Sequence, residues 1–186
     1  VIKTQQLAHK SMEQEPIHNK VAGSGILTLD LEELYPQGER AVFDIAPMLW
    51  EGIALKEKDF RAFMKDHDWL QYRGKFMAVH CSVDAIIPTW AFMLVAVHAQ
   101  PYAAFITQGD GDALERAVFT RFVQELDVEP YRNARVMVKG CSKLPVPLNA
   151  YVEICAKLLP VVKSLMFGEP CGAVPLYKEA KPQAGS

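Results

Sequence analysis

The chain has 186 residues, half of them hydrophobic and 23% charged, enough to bury a core in one domain or at most two small ones. Its formal net charge of −2 and its pI near 6.2 exclude a general attraction to nucleic acid or to an anionic membrane surface. No apolar run reaches the roughly 20 residues that cross a bilayer, and no signal or transit peptide is visible. The sequence therefore predicts a cytoplasmic protein with neither nucleic acid nor membrane as partner.

Residues 1–18 carry Gln, Glu, Lys and His without an aromatic side chain and read as a flexible N-terminal arm. The first residue is Val1 and not Met, which suggests a trimmed chain or an incomplete sequence. Residues 26–31 alternate as a half-buried strand does, and residues 41–45 form a second strand candidate that Pro47 ends. These two are expected to pair as a β-hairpin. The glycine-rich VAGSG at 21–25 precedes a strand where a phosphate loop would join strand to helix, so a turn is predicted. Residues 56–66 give a helix with Phe60, Phe63 and Met64 on one face.

The stretch GKFMAVHCSVDAIIPTWAFMLVAVHA organises the middle of the chain. Phe76 to Val79 is a buried strand candidate, the run breaks at His80-Cys81-Ser82-Val83-Asp84, and residues 85–97 continue without a charge. Pro88 suits the first turn of a helix there, and a helix apolar all round is expected to be covered on more than one side. Asp84 would cap it, and His98 would face the negative end of its dipole. Residues 102–107 read as a strand, 108–112 as a turn in which Asp110 or Asp112 caps a helix over 113–126. The acidic residues of that turn lack the spacing of a calcium loop. A strand over 135–139, a long helix over 148–167 kinked at Pro160, and a short strand over 173–177 follow. No internal repeat and no linker is apparent, and residues 179–186 read as a flexible tail.

Strand and helix alternating through the second half predicts the α/β class: a mostly parallel sheet flanked by helices, with an N-terminal β-hairpin extending or capping it. A single domain over residues 19–178 follows.

Ligands of open α/β sheets gather beyond the carboxyl ends of the strands. Cys81 and Cys141 each follow a strand candidate directly, and Cys171 lies in a Glu-Pro-Cys-Gly turn, whereas Cys155 sits on the apolar stripe of a helix. Three turn-placed thiols with Asp84 as fourth ligand are a candidate site for zinc, iron or an iron–sulfur cluster, with His80, Ser82 and Ser142 beside the ligands in sequence. No CxxC pair supports this by spacing. A second reading makes Cys81 the reactive sulfur of a thiol enzyme or persulfide carrier, activated by the helix that follows it. A third leaves the cysteines to pack, with Trp50, Trp69 and Tyr72 serving a protein interface or a homodimer. Serine-hydrolase, zinc-protease, P-loop and Rossmann fingerprints are absent.

The segments NKVAGSGILTLDLEELYPQGERAVFDI, LKEKDFRAFMKDHDW, HCSVDAIIPTWAFML, VKGCS and GEPCGAVPLYK together resemble the bacterial family catalogued as domain of unknown function 2480. The resemblance covers residues 19–178, and its motifs contain the positions of Cys81, Asp84, Cys141 and Cys171. It supplies no catalytic residue. Because genes of this family tend to lie near iron–sulfur assembly genes, the resemblance implies iron–sulfur work and iron–sulfur assembly proteins as partners.

Overall fold

The structure, a computed structural model, describes residues 19–20, 25–139, 144–169 and 172–180. Strands β1 (Asn19–Lys20), β2 (Ile26–Asp30), β6 (Arg135–Lys139), β7 (Ser164–Phe167) and β8 (Val174–Lys178) form sheet A in the order β1-β2-β6-β7-β8. Strands β3 (Arg40–Asp44), β4 (Phe76–His80) and β5 (Phe105–Gln108) form sheet B in that order. Sheet B is all parallel; in sheet A the central β2, β6 and β7 are parallel and the outer β1 and β8 run against them. The α/β class is as expected, but the strands divide between two sheets.

The N-terminal antiparallel pair is β1 with β2, which extends sheet A. The expected hairpin of residues 26–31 with 41–45 does not form, because β2 and β3 enter different sheets, each pairing in parallel with a later strand. The connection between them carries Tyr35 and Arg40 to a shared carboxylate. The Tyr35 hydroxyl donates to Glu115 Oε2 at 2.8 Å, and Arg40 donates through Nε to Oε1 at 2.7 Å and through Nη2 to Oε2 at 3.2 Å.

Four helices, α1 (Glu57–Asp66), α2 (Thr89–Ala99), α3 (Gly111–Glu125) and α4 (Leu148–Leu158), cover the sheets. Phe60 and Met64 of α1 and Ala91, Val95 and Ala99 of α2 pack on Phe43, Met77 and Val79 of sheet B. Phe119 and Val123 of α3 and Ala150, Ile154 and Leu158 of α4 pack on Leu29, Val136 and Val138 of sheet A. Helix α3 also presents Leu114 and Val118 to Ala78 on the other face of sheet B. Since side chains along a strand alternate faces, sheet B lies between α1 and α2 on one side and α3 on the other, with sheet A beyond α3.

These two halves are the same arrangement repeated, contrary to the expectation of no internal repeat. Strand β4, helix α2 and strand β5 have their counterparts in β6, α4 and β7, each displaced by 59 residues from end to end. The 3₁₀ turns Trp69–Tyr72 and Glu129–Tyr131 end in the same register, as do α1 and α3. Loop hydrogen bonds repeat in step. Gly74 N–H donates to Tyr102 O as Asn133 N–H donates to Val161 O, and Gly109 N–H donates to Val79 O as Gly168 N–H does to Val138 O. Gly74 and Asn133 both occupy the left-handed region, at φ of 72° and 56°, where Gly and Asn are the residues most easily accommodated.

Helix α4 ends at Leu158, and residues 164–167 form β7, so the expected single kinked helix over 148–167 is two elements. Pro160 brings no N–H and clashes with the carbonyl four residues back, which stops the helix, as Pro101 does after α2. Helix α2 begins at Thr89 with Pro88 as its N-cap and makes no side-chain cap, so Asp84 does not cap it. Nor is α2 buried all round: Met93 and Val97 are 63% and 69% exposed. Asp110 does cap α3, accepting from Ala113 N–H at 2.8 Å. The glycine-rich stretch over 21–25 lies, except for Gly25, outside the described residues.

Candidate functional site

In each half, three neighbouring parallel strands end at one edge, and in each half an acid–base–acid set of side chains stands there. In sheet B the set is Asp44 at the end of β3, His80 at the end of β4 and Asp110 just beyond β5. In sheet A it is Asp30 at the end of β2, Lys139 at the end of β6 and Glu169 just beyond β7. The sets match position by position: Asp44 pairs with His80 as Asp30 pairs with Lys139, and Asp110 precedes Glu169 by the same 59 residues.

The sheet A set is held by contact. Lys139 Nζ lies 3.2 Å from Asp30 Oδ2 and 3.9 Å from Glu169 Oε1, and the Asp30 side chain is only 8% exposed. Asp30 Oδ1 accepts the Glu32 N–H at 2.9 Å, so this nearly buried carboxylate is satisfied on both oxygens. A buried charge of this kind persists only when paired and hydrogen-bonded.

In sheet B, Asp44 Oδ1 accepts N–H groups from Ala46 at 2.9 Å and Ser82 at 3.0 Å, and Oδ2 accepts the Ser82 hydroxyl at 2.6 Å. Burial pushes the Asp44 pKa up, but the bonds from Ser82 and Ala46 and the nearby His80 outweigh it, and the carboxyl sits below its ordinary 3.8. The cap bond from Ala113, with help from Arg116 and His80, likewise holds Asp110 down. Both acids are therefore ionised at neutral pH, flanking the His80 imidazole.

The predicted site residues that the structure describes lie at or beyond the sheet B edge. Cys81 is half-buried and packs into the core on the α1 and α2 side of sheet B, the face turned away from sheet A. Ser82 is exposed and bound to Asp44, Asp84 is exposed in the segment leading to α2, and His80 is half-exposed at the strand end. Cys141, Ser142 and Cys171 lie outside the described residues. In sequence, Cys141 stands two places after Lys139, and Cys171 two places after Glu169. Among the described residues no group of three or more His, Cys, Asp or Glu is arranged to hold a metal ion. Cys155 packs against the core of the second half, and burial raises its pKa. Trp69 and Tyr72, considered for an interface, are buried core residues at 7% exposure each, while Trp50 is exposed.

Sequence reasoning missed Asp30, Asp44, Lys139 and Glu169. The signal that finds them is the 59-residue register, marked by Tyr72-Arg73 with Tyr131-Arg132, Pro88 with Pro147, Pro101 with Pro160 and Gly109 with Gly168.

Among known protein families, a model described as "Protein of unknown function (DUF2480)" matches residues 15–179. No curated protein and no solved structure matches the chain. No helix among the described residues is long and apolar enough to cross a membrane.

Proposed function

The chain belongs to the DUF2480 family, whose description names no activity, and we propose that it is a thiolate metal-binding protein and, as the family resemblance implies, an accessory to iron–sulfur chemistry. Cys141 and Cys171 are the soft ligands of this proposal. What supports it is the contact between Lys139 and Glu169 at 3.9 Å, which ties together the two chain positions from which these cysteines follow. Neighbouring Glu169, 47% exposed, offers carboxylate oxygen, so a mixed sulfur and oxygen set for zinc or iron can be drawn from one strand edge. Cys81 and Asp84 belong to the other sheet and are left out of the proposed set.

The test is elemental analysis of protein purified without oxygen or chelator, followed by reconstitution with iron and sulfide. About one zinc or iron per chain is expected, lost in Cys141→Ser and Cys171→Ser and kept in Cys81→Ser. A visible spectrum appearing on reconstitution assigns the iron–sulfur role. Metal-free protein whose spectrum does not change on reconstitution overturns the proposal, as does metal that survives both Cys141→Ser and Cys171→Ser.

A further inference from the structure

We propose that the outer edge of β3 is a docking slot for an extended, basic segment of another protein, added to sheet B as an antiparallel strand. Phe76 N–H donates to Glu39 O and Ile45 N–H donates to His80 O at the two ends of the β3–β4 ladder. Odd-numbered residues of β3 thus turn their backbone groups to β4, and Arg40, Val42 and Asp44 turn theirs outward. No other strand among the described residues pairs with them, and Val42 is 47% exposed. An unpaired strand edge of this kind is a ready template for another chain.

The repeat supplies the precedent. Val42 corresponds to Thr28, since their partners Ala78 and Met137 are 59 residues apart. On sheet A the edge at Thr28 is occupied: Asn19 lies opposite Thr28 and Lys20 opposite Leu27, antiparallel. Among the described residues there are two equivalent edges and one N-terminal strand, and that strand is engaged on β2. Among the described residues nothing occupies the β3 edge.

The chemistry of that occupant is written beside the edge. An open groove of about 480 Å³ lies between β3 and α1, lined among others by Val42, Phe43, Asp44, Asp59, Phe63 and His67. Phe43 and Phe63, with ring centroids 6.4 Å apart, give it an apolar wall. Asp44 is held ionised, and Asp59 stands exposed on α1. Side chains of an added strand alternate faces, so apolar residues interleaved with Lys or Arg fit this groove, and an acidic strand is repelled.

Two blocked synthetic octapeptides, alternating valine with lysine or valine with glutamate, test the slot against a third peptide copying residues 15–22. Hydrogen exchange at the Val42 amide and fluorescence anisotropy are the readouts. The lysine peptide is expected to slow exchange at Val42 and to bind about tenfold or more tightly than the glutamate peptide. Val42→Pro removes the outward N–H and should abolish binding, an edge position being one that tolerates proline. Asp59→Asn, on the exposed face of α1, should weaken the lysine peptide severalfold with the fold intact. Unchanged exchange at Val42, equal binding of the two charged peptides, or full binding by folded Val42→Pro overturns the proposal. Tighter binding of the 15–22 peptide, with a dimer in sedimentation, overturns it in favour of a second copy of this chain.

Discussion

Asp44 is held ionised by two N–H groups and a hydroxyl, and this links the stability of sheet B to acid pH. Its folded pKa lies below the ordinary 3.8, so as pH falls the unfolded chain takes up this proton first. The stability it contributes is complete above 3.8 and is lost as pH drops through the lower, folded value. Replacing Asp44 with Ala should cost about 1–2 kcal/mol at pH 7, the range for hydrogen bonds to a charged, partly solvated group. Urea unfolding of both proteins over pH 2–7 checks this, and the gap between them should narrow below pH 3.8. His67 gives a second residue-scale expectation. Burial lowers its pKa from 6.5, against a smaller opposing effect of Asp68, while its Nε2 stays 3.1 Å from the Tyr72 hydroxyl. Its imidazole should therefore titrate below 6.5 by NMR, and acid should destabilise the α1 end of sheet B through it. Residues of this kind were the hardest to read from sequence. Asp44 and Asp30 are ordinary strand-end acids until the parallel pairing places a base opposite each, and that pairing joins residues far apart in the chain.

Among the elements, short-range chemistry was legible and long-range chemistry was not. The strand over Arg135–Lys139, the helix over Glu57–Asp66 and the Asp110 cap follow from alternation, from 3.6-residue spacing and from a carboxylate reaching back to an N–H. The partner of β2 could not be found this way, since a strand pairs through its backbone and its sequence does not name its neighbour. Residues 148–167 misled because an apolar stripe at helical spacing continued through Ser164–Phe167, and only Pro160 marked the break. Helix α2 misled differently: its lack of charge suggested burial, yet only Ala91, Val95 and Ala99 are inaccessible. The buried residues of α4, Ala150, Ile154 and Leu158, occupy the same positions of the repeat. The two faces of each helix should respond differently to substitution. Ile154→Ala should cost about 2–5 kcal/mol by leaving a cavity. Val97→Lys, on the open face of α2, should stay within about 0.5 kcal/mol. Thermal and urea unfolding of the two variants separate these outcomes, and a large loss from Val97→Lys would mean that the exposed face of α2 is covered in solution.

At the scale of the molecule, the repeat makes two similar halves, and α3 decides whether they fold as one. Phe119 and Val123 face sheet A, while Leu114 and Val118 face sheet B. The Arg40–Glu115 pair, with Tyr35 on the same carboxylate, adds a polar tie between the β2–β3 connection and this helix. Pulling the halves apart would expose the face of α3 that carries Leu114 and Val118 and take Arg40 of β3 away from Glu115. Each half alone has one sheet face covered by its own helices, so separation would also strip the second face of sheet B. The halves should therefore unfold together. Leu114→Ala, at a fully buried position between α3 and Ala78, should lower global stability by about 2–5 kcal/mol. Native-state hydrogen exchange resolves the consequence by position. Amides of β4 and β6 should show one common opening free energy in the native protein, and in Leu114→Ala both should fall by the same amount. If β4 exchanges faster while β6 keeps its protection, the halves are separate cooperative units and α3 is merely a surface that both happen to touch.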